Sequence, residues 1–118
     1  MQSFSSIGGI YPRHGMPDPD VTLVTMRFDV ADESMFLDAV SRYVVMSRSH
    51  DGCRNVDLCR SLSTPGSWLI VQKWGGAAAQ TAHLDHADTV AFARACAGVL
   101  ARPPVFELLE GVSAHDLA

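Results

Sequence analysis

The sequence predicts an α+β fold with the order β-α-β-β-α-β, in which a four-stranded antiparallel sheet carries its helices on one face. Three observations lead to this prediction. Residues 21–30 and 68–74 are rich in β-branched and aromatic side chains, as strands are. Residues 33–50 repeat apolar side chains at helical spacing. Clusters of Gly, Pro, Ser and Asp separate these segments, as they do where a chain turns.

The first strand and the first helix follow from their local patterns. Residues 21–30 are apolar on both faces near the middle, which predicts a strand in the centre of the sheet. Asp32 is placed to cap the helix that follows. This helix should end near His50, because Asp51-Gly52 breaks the pattern. Its buried face should consist of Phe36, Val40, Tyr43, Val44 and Ser47.

The second and third strands should form an antiparallel hairpin. Residues 54–62 and 68–74 have the composition of strands. Between them, Ser63-Thr64-Pro65-Gly66 supplies residues that favour a turn. Gly75-Gly76 then ends the third strand and releases the chain into a helical region.

The second helical region should consist of two pieces. We predict helices over residues 77–86 and 88–100, with Asp88 as the cap of the second piece. Pro103-Pro104 stops the helix, because proline cannot continue it. Residues 105–112 then have the composition of a fourth strand.

This order is the split β-α-β arrangement of the ferredoxin-like fold, which leaves the second face of the sheet uncovered. Two such sheets can cover each other across a twofold axis, so we predict a homodimer that forms an α+β barrel. The domain should span residues 21–112, after an irregular arm over residues 1–20 that is rich in Ser, Gly and Pro. Residues 113–118 should form a C-terminal tail.

Composition and charge argue against several classes of function. A chain of 118 residues with 47% apolar residues is expected to form one globular domain. The net charge of -4 and the scattered basic residues argue against nucleic-acid binding. We find no signal peptide or membrane helix, so we expect a cytoplasmic protein without membrane contact. Cys53, Cys59 and Cys96 form no metal-binding pair and should be reduced and mostly buried.

The stretch from Trp68 to His83 predicts one wall of a small-molecule pocket. Alternate side chains of a strand share a face, so Gln72 lies on the same side as Trp68 and Trp74. Two glycines then lead into a helix, and His83 follows Trp74 by nine residues. About six of these residues can be helical, which allows the imidazole to return over the end of the same strand.

Residues 21–110 resemble the antibiotic biosynthesis monooxygenase domain, a dimeric family with a ferredoxin-like fold. The matching segments are D-G-C-R-N-V at 51–56, Q-K-W at 72–74, the following His83, Phe92, and R-P-P-V-F-E at 102–107. Each segment is short, but their order and spacing together match the family.

The resemblance implies an oxygenase that needs neither a metal nor another cofactor. Such enzymes convert an anthrone or quinol to a quinone, because a deprotonated phenol can give one electron directly to molecular oxygen. The protein would supply a stacking pocket, a proton acceptor and a hydrogen bond to the developing oxyanion. By the same resemblance, Trp74 and Arg94 occupy the positions of the implicated Trp and Arg. Together with His83 they are the expected catalytic residues.

Two positions depart from the family pattern. The Asn that precedes the Trp by four residues is Ile70 here, and the Tyr that follows it by six residues is Gln80. His83 is then the remaining candidate base, because an unperturbed imidazole titrates near pH ~6.5. The residues expected to contact the aromatic substrate are Val24, Tyr43, Ile70, Gln72 and Phe92.

Two other functions stay open. The departures at Ile70 and Gln80 also suit a non-catalytic dimer that holds an aromatic metabolite in the same pocket. A second branch of the fold degrades haem, but its characteristic Asn, Trp and His are replaced here by Met26, His83 and Phe92. His83 or His86 can in principle bind haem iron, which leaves haem degradation as a weaker alternative.

The site residues also have purely structural interpretations. Trp74 can be a core aromatic that closes the sheet, and the hydroxyl of Tyr43 can simply bind the backbone. Arg94 can be half-buried and paired with a carboxylate. We expect His50 and His86 to be solvated or to cap helices.

Overall fold

The computed structural model describes residues 20–114 of the protein. Most of the predicted N-terminal arm, residues 1–19, and the end of the predicted tail, residues 115–118, lie outside this range. The elements are β1 (Thr22–Asp29), α1 (Glu33–Ser47), β2 (Cys53–Arg60), β3 (Ser67–Trp74), α2 (Ala77–Leu84), α3 (Ala87–Ala95) and β4 (Val105–Glu110). The order is the predicted one, with the second helical region in two pieces.

The strands form one antiparallel sheet in the order β2-β3-β1-β4. β1 pairs with β3 on one side and with β4 on the other, which confirms its predicted central position. β2 pairs with β3 as the predicted hairpin. The ferredoxin-like α+β fold is therefore confirmed, while the homodimer stays a prediction.

The hydrophobic core lies between the helices and one face of the sheet. The buried residues of β3 on this face are Trp68, Ile70, Gln72 and Trp74, as strand alternation predicts. Phe28, Phe36 and Phe92 pack against one another with ring centroids 5.3 to 6.5 Å apart. Tilted and edge-on aromatic contacts of this kind favour one fixed packing of the helices on the sheet.

The beginning of α1 is as predicted, but its end is not. The Asp32 side chain accepts a hydrogen bond from the backbone N–H of Met35 at 3.1 Å, which caps the helix. The helix ends at Ser47 and the chain then turns towards Gly52, whose φ is 78°. A Cβ at Gly52 would overlap the Cβ of Ala79. Glycine thus allows this turn to lie directly against α2.

The start of α3 differs from the prediction. His86, not Asp88, is the capping residue, because its Nδ1 accepts a hydrogen bond from the backbone N–H of Asp88 at 3.0 Å. The Asp88 carboxylate binds His50 instead. The helix also ends at Ala95, before its predicted end, and the chain turns at Gly98 with a φ of 77°.

No helix covers the other face of the sheet within residues 20–114. Leu23, Val71 and Leu69 are half-buried on this face, and on the edge strand Leu109 and Val105 are exposed. An apolar sheet face of this kind is typical of an interaction surface. We refer to it as the open face.

The three cysteines are free, as predicted. Cys59 is exposed on the open face, so the expectation of mostly buried thiols is wrong for this residue.

Along residues 20–114, no helix has both the length and the apolar character that a membrane span requires.

Candidate active site

A small cavity lies between the sheet and the helices. Its volume is about 10 Å³, which is close to the least space that holds one water molecule. The lining residues are Val24, Met26, Tyr43, Gln72, Gln80, His83, Leu84 and Phe106. All of them are buried except Phe106, which is half-buried. Phe106 is therefore the most exposed of the lining residues, and we refer to its side of the cavity as the open side.

Polar side chains connect the cavity wall to the tryptophan of β3. The indole N–H of Trp74 donates to Gln72 Oε1 at 3.0 Å. Gln72 Nε2 in turn donates to the hydroxyl of Tyr43 at 2.7 Å. The same hydroxyl lies 2.7 Å from His83 Nε2. Four side chains from three elements are thus joined beneath the helices.

The connection continues from the cavity towards the surface. Nδ1 of His83 lies 2.6 Å from Nδ1 of His50, and His50 Nε2 lies 2.8 Å from the Asp88 carboxylate. The His50 side chain is only 7% exposed, whereas that of Asp88 is 28% exposed. We call the full series the hydrogen-bond chain. Its members are Trp74, Gln72, Tyr43, His83, His50 and Asp88.

Chemistry fixes the direction of the two innermost bonds. An indole N–H can only donate, so Gln72 must accept from Trp74 with its oxygen and donate to Tyr43 with its nitrogen. The Tyr43 hydroxyl accepts this bond and has its own proton left, with His83 Nε2 at 2.7 Å and Met26 Sδ at 3.9 Å as acceptors.

The outer bonds depend on the tautomer of His83. A neutral His83 that accepts at Nε2 carries its proton on Nδ1 and donates it to His50 Nδ1. A neutral His50 then carries its own proton on Nε2 and donates it to the Asp88 carboxylate. In this tautomer, every bond of the hydrogen-bond chain points from the core towards the surface.

Burial keeps the groups at the centre of the hydrogen-bond chain neutral. Burial, and next the charges of His50 and His86, lower the pKa of His83 to about 3, against an opposing effect of Asp88. Burial also raises the pKa of Tyr43 well above its usual value, although the hydrogen bond from Gln72 opposes this. The unperturbed pKa expected for a histidine therefore does not apply to His83. It is neutral at physiological pH and a weak base.

Aromatic contacts hold these groups in place. The Tyr43 ring stacks on Phe92 with centroids 4.3 Å apart and an interplanar angle of 11°. The Trp74 ring centroid lies 4.4 Å from that of His83. Because these rings are packed, the hydroxyl and the imidazole have little freedom to change partners.

Four of the residues predicted for the site line the cavity. They are Val24 from β1, Tyr43 from α1, Gln72 from β3 and His83 from α2. Sequence reasoning left open whether the Tyr43 hydroxyl binds the backbone, and it binds Gln72 and His83 instead.

The other four predicted residues do not line the cavity. Trp74 is fully buried and contacts two lining residues, Gln72 through its indole N–H and His83 through its ring. Ile70 and Phe92 are buried in the hydrophobic core. Arg94 is exposed on α3. A catalytic role for Arg94 stays a prediction, and it would require the side chain to reach a substrate from outside the cavity.

Sequence reasoning missed three polar residues of the site. His50 was expected to be solvated or to cap a helix, yet it is buried between His83 and Asp88. The spacing of Tyr43, Ser47 and His50 by four and three residues was the available signal, because it marks one side of a helix. Asp88, which was expected to cap α3 and binds His50 instead, is the second missed residue, and Gln80 is the third. Its Oε1 is buried and has no hydrogen-bond partner among residues 20–114, and its side chain lines the cavity.

The site contains one group with the residue types of a metal centre. Ligand atoms of His50, His86 and Asp88 lie within 4.8 Å of one another. However, the rings of His50 and His86 stack with centroids 3.8 Å apart and an interplanar angle of 28°. Lone pairs of imidazole lie in the ring plane, so two stacked rings direct them side by side and not towards one ion. The geometry suits a hydrogen-bonded cluster better than a metal centre.

The family of the chain follows from comparison with known families. Residues 21–95, more than half of the chain, match the profile of antibiotic biosynthesis monooxygenase. The chain belongs to this monooxygenase family. The resemblance noted from short segments of the sequence is thereby confirmed. The chain has no significant match among proteins of curated function.

Several solved structures are similar to this member of the monooxygenase family and support its fold. A candidate antibiotic biosynthesis monooxygenase from Caulobacter crescentus is 20% identical, with a TM-score of 0.76 over 80% of this chain and 92% of the other. One from Nitrosomonas europaea is 15% identical, with a TM-score of 0.75 over 80% and 93%. SnoaB, a cofactor-independent oxygenase from Streptomyces nogalater, is 17% identical, with a TM-score of 0.70 over 83% and 96%. At these identities the likeness concerns the fold.

Proposed function

We propose that the protein is a cofactor-independent monooxygenase that oxidises a phenolic aromatic, of the anthrone or quinol type, to a quinone. The observation that carries this proposal is the buried polar group of Gln72, Tyr43 and His83 at the wall of a cavity, in a chain of a monooxygenase family. The similarity in fold to SnoaB, a cofactor-independent oxygenase, supports the same reaction class.

The reaction needs a proton acceptor and an electron-rich substrate. Loss of the phenolic proton gives an anion that can transfer one electron to molecular oxygen. Combination of the two radicals forms the new carbon–oxygen bond. For an anthrone, the methylene carbon gains one oxygen atom and loses two hydrogens, which leave with the second oxygen atom as water. The protein therefore has to bind the anion and handle protons, and it needs no external reductant.

The cavity offers two hydrogen-bond acceptors for ligand hydroxyls. The unpartnered Oε1 of Gln80 can accept a hydrogen bond from the substrate, because a buried acceptor without a partner is costly. The Tyr43 hydroxyl accepts from Gln72 with one lone pair and retains a second for the substrate. We assign substrate contact to these two residues, with His83 behind Tyr43.

An aromatic substrate needs more room than the cavity now has, because its volume of about 10 Å³ suits a single water molecule. The half-buried Phe106 borders the open side. On the α2 side the wall consists of Gln80, His83 and Leu84, and the N-cap residue of this helix, Gly76, supplies no side-chain cap. A helix end without a cap separates more easily from its neighbours. We therefore propose that the substrate enters between Phe106 and α2 as these elements move apart.

A homodimer is part of the proposal. The open face carries Leu23, Leu69, Val71, Val105 and Leu109. A second copy of the sheet packed on this face would bury them, and it would leave the cavity on the helical side accessible. The predicted dimeric α+β barrel has this arrangement.

The experiment is an assay of the full chain after treatment with chelators. The protein is incubated with anthrone in air, while quinone absorbance and oxygen consumption are followed together. We expect one molecule of oxygen consumed per quinone formed, at a rate that chelators do not change. Tyr43→Phe should lower kcat, since it removes the hydroxyl but keeps the ring on Phe92. No rate above the spontaneous oxidation of several anthrones and quinols would refute the proposal.

One observation favours the alternative of a non-catalytic dimer that binds an aromatic metabolite. Arg94, which the family resemblance implicates in catalysis, is exposed and does not line the cavity. Equilibrium binding of anthraquinone, measured by quenching of tryptophan fluorescence, separates the two functions. Tight binding without turnover of any anthrone would favour the binding protein, and turnover would exclude it.

A further inference from the structure

The outer half of the hydrogen-bond chain has no part in substrate contact. His50 and Asp88 do not line the cavity, yet they extend the chain from His83 to the protein surface. Exposure increases along this path, from 2% for Tyr43 and 4% for His83 to side-chain values of 7% for His50 and 28% for Asp88. A buried site is thereby linked to solvent by side chains alone.

We propose that Tyr43, His83, His50 and Asp88 form a proton relay between the cavity and the surface. Tyr43 is the end of the relay that meets the ligand. His50 and Asp88 act through His83 and are positioning residues. That the proton comes from a phenolic substrate rests on the proposed function. The relay itself depends only on the arrangement of these four side chains.

Proton transfer outwards takes three steps, the first from the ligand to Tyr43 and the other two along contacts that the structure shows. A ligand hydroxyl gives its proton to Tyr43 Oη, while the Tyr43 proton passes to His83 Nε2. The proton on His83 Nδ1 then passes to His50 Nδ1. The products are a ligand oxyanion, a neutral Tyr43, a neutral His83 in its other tautomer, and an imidazolium at His50 beside the Asp88 carboxylate. One positive and one negative charge have formed, so charge balances.

The low pKa of His83 suits this role. A residue whose pKa is about 3 does not hold a positive charge at neutral pH. It can still transfer a proton, since it accepts one at Nε2 as it gives one up at Nδ1. The charge then forms at His50, where the carboxylate of Asp88 lies 2.8 Å away. A charge-assisted hydrogen bond of this kind stabilises the imidazolium.

The second half of the oxidation resets the relay. The second oxygen atom leaves as water and takes up the two protons that the substrate loses. The full reaction therefore has no net uptake or release of protons. The proton held at His50 can return through His83 and Tyr43 to the oxygen species in the cavity. Each side chain then has its original tautomer again.

Two further titratable groups face the relay. His86 stacks on His50, with its ring centroid 3.8 Å away. Cys53 from β2 lies near Tyr43 and affects its pKa. Burial raises the pKa of the Cys53 thiol, which keeps this group neutral. Of the two, His86 is thus the one whose charge can oppose an imidazolium at His50, and any pH profile has to be measured with it in place.

The kinetic test uses His50→Ala and Asp88→Asn in the full chain, with anthrone as substrate. We expect kcat to fall roughly 10²-fold for His50→Ala, because general acid–base steps contribute about this much. KM should stay unchanged, since His50 does not line the cavity. Free imidazole should restore part of the turnover. Asp38→Asn, the same change at an exposed carboxylate on α1, is the control. A kcat within twofold of the wild type for both variants, or no rescue by imidazole, would overturn the relay.

A second measurement needs no substrate. Nitrogen NMR of the histidine rings in the wild-type protein at pH 7 should find His83 protonated on Nδ1 and His50 protonated on Nε2. A proton on Nε2 of His83 would contradict the relay, whatever the variants do. If the wild type oxidises no anthrone, the proposed function fails, and the NMR result still decides whether the side chains are arranged as a relay. The same holds if His50→Ala does not fold.

Discussion

His50 and His83 are joined by a hydrogen bond between like atoms, with 2.6 Å from Nδ1 to Nδ1. Only one proton fits between these atoms, so the protonation of one ring determines what the other can accept. The remaining nitrogens bind Tyr43 and Asp88 respectively. The two histidines therefore behave as one unit, with one end in the core and the other near the surface.

The first prediction concerns stability against pH. The unfolded chain takes up a proton at His83 near pH ~6.5, whereas the folded protein does so only near the folded pKa of about 3. Between these values the unfolded state binds more protons, so stability rises with pH in this window. The contribution is fully present above about pH 6.5 and is lost as the pH falls towards about 3. Urea unfolding of the wild type should therefore lose a few kcal/mol over this range.

The matched variant for this prediction is His83→Gln, whose side chain does not titrate. Its free energy of unfolding should depend less on pH between 3 and 6.5, while the carboxylates of both proteins contribute equally. Parallel curves for the two proteins would show that the folded state does not keep His83 neutral.

The second prediction concerns the Tyr43 hydroxyl. In Tyr43→Phe, Gln72 loses an acceptor and His83 loses a donor, while the ring can still stack on Phe92. Buried polar groups without partners cost about 1–3 kcal/mol. We expect this loss in chemical denaturation at pH 7. The double variant Tyr43→Phe with Gln72→Leu should lose less than the sum of both single variants, because the two side chains share one bond. Additive losses would mean that the bond contributes nothing.

The third prediction concerns the turn that positions His50. Gly52→Ala has to adopt a φ of 78° and also overlaps Ala79. Gly98→Ala has to adopt a φ of 77° but meets no atom within 4 Å among the described residues. Both should lose about 1–2 kcal/mol from backbone strain. Gly52→Ala should lose a further 1–3 kcal/mol, roughly, from the overlap. Equal melting temperatures would exclude the close packing of the turn on α2.

The fourth prediction concerns the entrance to the cavity. Phe106→Ala removes the half-buried ring at the open side, so anthraquinone should bind more tightly and anthrone should show a lower KM. Leu109→Ala, on the opposite face of the same strand, should leave both values unchanged. Binding by fluorescence titration is the measurement. Equal affinities for the two variants would place the entrance elsewhere.

The fifth prediction concerns the homodimer. Val71→Asp puts a charge on the open face, where a second sheet would bury it, and should produce monomers in sedimentation equilibrium. Val45→Asp makes the same change on α1, where Val45 is 64% exposed. It should leave the oligomeric state of the wild type unchanged. A wild-type monomer, or a Val71→Asp dimer, would contradict a dimer through the open face.

Local patterns predicted the fold well because each element has its own signal. The alternation of β3 placed Gln72 and Trp74 on the buried face, and Asp32 marked the start of α1. The ends of the helices were less predictable. His86 caps α3 in place of Asp88, because the Asp88 carboxylate binds His50, which lies 38 residues away in the sequence. A contact over that distance has no local signature.

The candidate site was predictable only in part. Strand alternation and helical spacing were enough to bring Tyr43, Gln72 and His83 to one place. The spacing from Tyr43 placed His50 on the correct side of the chain, but its contacts depend on how tightly the turn at Gly52 packs on α2. The size of the cavity depends on how closely side chains from several elements fill the same space, and the low pKa of His83 depends on that packing as well.

The close approach of Trp74 to His83 gives the protein a built-in optical signal. Indole emission depends on the groups that touch the ring, and the ring centroid of His83 lies 4.4 Å from that of Trp74. The second tryptophan, Trp68, lies under the Arg60 guanidinium at 5.5 Å and has different surroundings. In Trp68→Phe, the remaining emission would come from one fluorophore that touches His83. Occupancy of the site would then be visible in real time, without any label.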